Sequence, residues 1–138
     1  MKLAIFDSSE DAGVYNATLS DLREPESLYS KKTSGVDDGT KVLLGSGIGG
    51  YRALISSHEL GIPVIVKDPV MSHGGKSLSP ALLANTIPKN VYVTKDAPDR
   101  EKLINLLEPY SEVIIIDDDF VILDKNVIGR VLKYDKIV

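Results

Sequence analysis

The chain has 138 residues, 43% of them hydrophobic, enough for one domain with a proper core. It contains no cysteine, which excludes disulfides, thiolate nucleophiles and thiolate-held metals. Sixteen basic and twenty acidic residues give a net charge of −4, a balance that argues against a general nucleic-acid-binding face.

Mean hydropathy is near zero, and no apolar run approaches the roughly 20 residues that span a membrane. The expectation is a cytoplasmic protein with neither membrane nor nucleic acid as a partner. The start, "MKLAIFDSS", reads as a strand over 3–6 ending at Asp7, too short an apolar run for a signal peptide. Residues 8–22 predict a helix: Ser8 and Asp11 form a capping pair, and Tyr15, Leu19 and Leu22 share a face. Residues 23–40 are polar and rich in turn formers, and read as a loop.

The stretch "KVLLGSGIGGYRALISSHELGIPVIVKD", residues 41–68, carries the strongest signal. It predicts a strand over 42–44, a glycine-rich turn, a helix and a strand over 64–66. Tyr51, Leu54, Ile55 and His58 fall at i, i+3, i+4 and i+7, one stripe of that helix. His58, near the helix end, reads as a packed or capping histidine. In "MSHGGKSLSP", residues 71–80, "GGKS" resembles the end of a P-loop. Val70 stands where that loop needs its first glycine, so an ATPase reading fails. What survives is a flexible loop with His73 as candidate proton carrier, Lys76 as candidate phosphate partner and Ser77 as a binding residue.

Ser79-Pro80 opens a short helix running to about Ala84. A strand follows at 91–93. Asp96, with Pro98 and Asp99, signals a helix bearing Leu103, Leu106, Leu107 and Tyr110, before a strand at 113–116. The tail, residues 120–134, reads as a hairpin around Asp124-Lys125-Asn126, or alternatively as a helix capped by Asp124. Its apolar runs would suit a dimer interface. The strand runs are continuous rather than alternating, as in strands buried on both faces, and they alternate with helices. The expected fold is one three-layer α/β domain over 1–138 with a mainly parallel, five-stranded, doubly wound sheet, Rossmann-like or flavodoxin-like.

Gly45, Gly47 and Gly50 match G-x-G-x-x-G between a strand and a helix, with Gly49 as an extra glycine. One glycine allows a sharp turn, and another lets backbone approach a ligand. The helix start then offers free N–H groups to an anion. Gly45, Ser46, Gly47, Ile48, Gly49 and Gly50 are therefore candidate binding residues. Asp68, 18 residues after Gly50, lies about where an acid would hydrogen-bond a ribose. Residues 41–90 carry a net +3, against −4 and −3 in the flanking parts, which favours an anionic ligand in the middle. The expected ligand is a nucleotide, dinucleotide or other phosphorylated small molecule. The glycine turn follows the second strand rather than the first, which argues against a standard dehydrogenase domain.

Aspartates also end most strands, and Asp117 with Asp119 are candidate Mg²⁺ ligands. Two histidines and no cysteine speak against zinc catalysis, and "GSGIG" lacks the spacing of a serine-hydrolase elbow. Binding, rather than a specific reaction, is what these residues specify.

The motif order resembles a class I methyltransferase core over about residues 42–120. "LLGSGIGG" resembles that family's glycine loop for S-adenosylmethionine, "VYVTKDA" its third motif and "EVIIIDDDF" its fourth. The resemblance implies a ribose role for Asp68 and places Asp96 near the adenine. It stands as the second reading. A third, from another class, is a non-catalytic regulatory or partner subunit whose glycine turn is structural.

Overall fold

The computed structural model describes residues 2–8, 13–18, 20–21 and 30–117. Along the chain it forms β1 (Lys2–Phe6), β2 (Val14–Thr18), β3 (Lys32–Thr33), β4 (Thr40–Ser46), α1 (Ile48–Leu60) and β5 (Val64–Lys67). Then come β6 (Ser72–His73), β7 (Lys76–Ser77), α2 (Pro80–Leu83), β8 (Lys89–Thr94), α3 (Arg100–Leu107) and β9 (Glu112–Ile116). The main sheet has seven strands in the order β3-β2-β1-β4-β5-β8-β9.

The five expected strands are β1, β4, β5, β8 and β9, adjacent and parallel. The sheet is larger than expected because β2 and β3 extend it antiparallel. The helix expected over 8–22 is therefore corrected to a strand over 14–18. The Asp7 amide donates to the Gly13 carbonyl at 3.1 Å and the chain turns back. "VYNAT" then alternates, with Val14 and Asn16 on one face and Tyr15 and Ala17 on the other. Period two and β-formers outweighed the capping pattern. Within the loop expected over 23–40, Lys32–Thr33 pairs with β2.

Phe6, Gly45, Val66, Val91 and Val113 sit side by side in successive parallel strands. That register fixes which residues share a face. Ala4, Phe6, Leu43, Val64, Val66, Val91 and Val93 meet Tyr51, Ala53 and Leu54 of α1, Leu83 of α2, and Leu103 and Leu107 of α3 in one core. All three described helices thus cover the same face. The expected sheet of five strands is corrected to seven, in the order β3-β2-β1-β4-β5-β8-β9 with β2 and β3 antiparallel. The parallel strands follow chain order, so each crossover steps in one direction, and right-handed steps in one direction land on one side. Leu3, Ile5, Val42, Leu44 and Ile65 point to the opposite face and are also buried. That double burial explains the continuous apolar runs, each large side chain contributing about 1.5–3 kcal/mol.

The loop expected at 71–80 is instead the hairpin β6-β7. Gly74 and Gly75 form its two-residue turn with φ of 61° and 79°, the paired positive φ that two-residue hairpins favour. Helix α1 ends at Gly61, whose left-handed conformation lets its amide bond Ser57 O at 2.9 Å. Helix α3 begins at Arg100 behind a turn, later than Asp96. The tail 120–134, with its expected hairpin and dimer interface, lies outside the described residues. Among those residues, no helix is long and apolar enough to cross a membrane.

Candidate functional site

The parallel strands deliver Asp7, Gly47, Asp68, Lys95 and Asp117 to one edge of the sheet, each just beyond a strand's carboxyl end. Ligands of open α/β sheets bind at this edge.

Two of the turn glycines are there for packing. A Cβ on Gly45 would lie 2.4 Å from the Gly49 carbonyl oxygen, and one on Gly49 would lie 2.4 Å from the Phe6 carbonyl oxygen. Their absence lets the first turn of α1 dock on the ends of β1 and β4. Gly47 differs. Its φ of 58° and ψ of −125° exclude most side chains, yet a Cβ there would meet open space. Its amide donates to Lys67 O at 3.2 Å, and its carbonyl accepts from Tyr51 and Val70, both at 3.1 Å. Gly47 therefore joins the helix start to the loop after β5.

No side chain caps α1, and its first turn holds no acidic residue. The Ile48, Gly49 and Gly50 amides have no carbonyl of their own helix to bond. With the helix dipole they present partial positive charge at the sheet edge. Ser46, the last residue of β4, stands beside them, half-buried.

Asp68 has a φ of 41°, the one positive φ among the described non-glycine residues. Its Oδ1 accepts the Thr94 amide at 2.8 Å and its Oδ2 accepts the Thr94 hydroxyl. Lys67 Nζ lies 3.9 Å from Oδ2. The carboxylate expected to face a ribose is thus engaged by the neighbouring strand. Thr94 gave no signal of this role in the sequence beyond being a strand-end threonine. The clamp fixes the start of the loop Pro69–Met71. That loop and the turn Ala97–Asp99 wall a cleft of about 390 Å³, with Leu103 of α3 also lining it. The cleft was not legible, since its walls are 26 and more residues apart in sequence.

The hairpin brings His73, Lys76 and Ser77 together, all exposed. Tyr51 holds it against α1: its hydroxyl donates to Lys76 O at 3.1 Å, and its ring packs edge-on against His73 at 6.0 Å. Among the described residues, the His73 and Lys76 side chains have no hydrogen-bond or ion-pair partner.

Arg52, one turn beyond Ile48, donates to the Asp7 and Gly13 carbonyls at 3.1 and 3.3 Å and lies 5.3 Å from the Phe6 ring centre. Burial lowers its pKa, and the Asp7 charge opposes that shift. It staples α1 to the β1–β2 return. His58 contacts Asn85, Nδ1 to Nδ2 at 3.3 Å, at the far end of α1.

Asp117 is exposed, 4.0 Å from Lys95, and Asp119 lies outside the described residues. Among the described residues no group of three or more histidines and acids could hold a metal ion. Compared with known protein families and with curated protein sequences, the chain matches none.

Proposed function

We propose that the protein binds a phosphorylated small molecule, with its phosphate on the Ile48–Gly50 amides at the start of α1. One observation carries this reading: a 13-residue helix begins, without a side-chain cap or first-turn acid, at the carboxyl edge of a parallel sheet. Packing accounts for Gly45 and Gly49 but not for the open, positive-φ backbone at Gly47. A ligand approaching there would meet no side chain. Lys67, the last residue of β5, and Lys76 in the hairpin that follows are basic residues of 41–90 on this side of the sheet that support an anion here. A nucleotide fits these features better than S-adenosylmethionine, which has no phosphate and would need Asp68 for its ribose. Both Asp68 oxygens already accept hydrogen bonds from Thr94. Lys76 would then act as a phosphate partner from the hairpin, and binding rather than catalysis is the proposed role. A cytoplasmic location suits such a ligand.

Thermal shift with a nucleotide panel tests this on wild type and Ile48→Pro. Proline is tolerated at the first helical position, where it removes one donor and leaves the helix. Phosphate-bearing ligands should raise wild-type Tm and do so less at high salt, with the rise reduced in the variant. Equal shifts in both proteins, or none with any nucleotide, would count against the site.

A further inference from the structure

We infer that the cleft between Pro69–Ser72 and Ala97–Asp99 receives the organic part of that phosphorylated ligand, and that it selects an amino-bearing nucleobase. This inference rests on the reading of the α1 start as a phosphate site and names the ligand class it takes.

The cleft is next to that start. Val70 donates its amide to Gly47 O at 3.1 Å, and a Cβ on Gly50 would touch Pro69 at 3.1 Å. A group attached to a phosphate at Gly47–Gly50 need only cross Pro69 and Val70 to enter. At about 390 Å³ the space is within the roughly 300–1,000 Å³ of small-molecule sites. Apolar residues from both loops line it. Val70 and Met71 lie on one side, and Ala97, Pro98 and Leu103 on the other. An apolar lining suits a flat ring, which gains most of its binding from its faces.

The polar groups at the cleft set its rim preference. The polar residues that line it are Asp68, Ser72 and Asp99. Asp68 is turned toward Thr94, which leaves Asp99, exposed and lining the cleft, as the acidic residue open to a ligand. Carboxylates accept hydrogen bonds and repel carbonyl oxygens. The rim therefore favours rings bearing an exocyclic amine over rings bearing a carbonyl there. A hydrogen bond to a charged acceptor is worth about 1.5–3 kcal/mol, which corresponds to a preference of about tenfold or more.

Calorimetry with inorganic phosphate, ribose 5-phosphate, adenosine, AMP, CMP, IMP and UMP tests this. The proteins are wild type, Ala97→Phe, Asp99→Asn and Ile48→Pro, each checked for unchanged unfolding. Ala97→Phe fills the cleft from its edge without touching α1. AMP or CMP should bind wild type about tenfold tighter than ribose 5-phosphate and tighter than IMP or UMP. Ala97→Phe should erase that advantage while leaving inorganic phosphate unaffected. Asp99→Asn should narrow the amino-over-carbonyl preference. AMP and CMP binding unchanged in Ala97→Phe, but weakened in Ile48→Pro, would overturn the cleft assignment and leave the phosphate site standing. Adenosine binding as tightly as AMP, lost in Ala97→Phe and indifferent to Ile48→Pro, would support the cleft and remove the phosphate site. No binding by any compound would overturn both.

Discussion

Asp68 and Thr94 bridge the ends of β5 and β8 through two hydrogen bonds, the Thr94 amide to Oδ1 at 2.8 Å and the Thr94 hydroxyl to Oδ2. The pair joins the roots of the two loops that wall the cleft. Asp68 also holds a φ of 41° to make it. Such a backbone costs about 1–3 kcal/mol in a non-glycine residue and persists where the surroundings impose it.

Thr94→Val should thus lose about 1–3 kcal/mol, because it leaves a half-buried carboxylate oxygen without its hydroxyl partner. Thr94→Ser should recover most of that loss. Asp68→Asn should cost less than Thr94→Val, since asparagine tolerates positive φ and its amide can donate to the Thr94 hydroxyl. Urea unfolding of the three variants measures the order. Equal losses for Thr94→Val and Thr94→Ser would show that the hydroxyl is not the clamp.

The glycines separate by mechanism. Gly49→Ala puts a Cβ 2.4 Å from the Phe6 carbonyl oxygen, backbone against backbone, and should cost at least the 1–3 kcal/mol typical of overpacking. Gly74→Asn meets open space at a φ of 61°, which asparagine tolerates, and should be near neutral. Chemical denaturation gives both numbers. Similar losses would mean that close packing of α1 on β1 is not what Gly49 provides.

Asp21 makes a pH-dependent contribution far from the candidate site. The Lys31 ammonium, 2.7 Å from Oδ1, and the Thr18 amide, 2.8 Å from Oδ2, hold its carboxyl below the usual 3.8. A lowered value means that the folded state favours the ionised form. The stabilisation is complete above pH 3.8 and is lost as pH falls through the lowered folded value. The pair is partly exposed, so it contributes only about 0.2–1 kcal/mol. Wild type should exceed Asp21→Asn by that amount at neutral pH, and the gap should shrink in acid. A gap of constant size across the acid range would exclude ionisation as its source.

The parallel half of the fold was written in runs such as Val42–Leu44 and Val64–Val66, because burial on two faces removes polar positions from a strand. Segment 14–18 was not. Its five residues are short enough for local capping and leucine spacing to imitate a helix, and only pairing with β1 settles it. Helix placement was also hidden. Whether crossovers cover one face or both depends on the direction of each step across the sheet, and that is a pairing fact. At the site, Gly45–Gly50 announced themselves through spacing between strand and helix. The partnership of Asp68 with Thr94, by contrast, joins residues 26 positions apart and left no pattern. Residues 71–80 read as a flexible loop because Gly74-Gly75 suggests flexibility. The same two glycines make a tight hairpin turn.

An anion resting on the first turn of α1 is the central claim. The most direct measurement is a ¹H–¹⁵N spectrum of the ¹⁵N-labelled protein titrated with AMP. The amides of Gly47, Ile48, Gly49 and Gly50 should shift together and saturate, with one binding curve shared by Val70 and Ala97 at the cleft. Saturating shifts elsewhere with residues 47–50 unmoved, or no saturating shift anywhere, would contradict it.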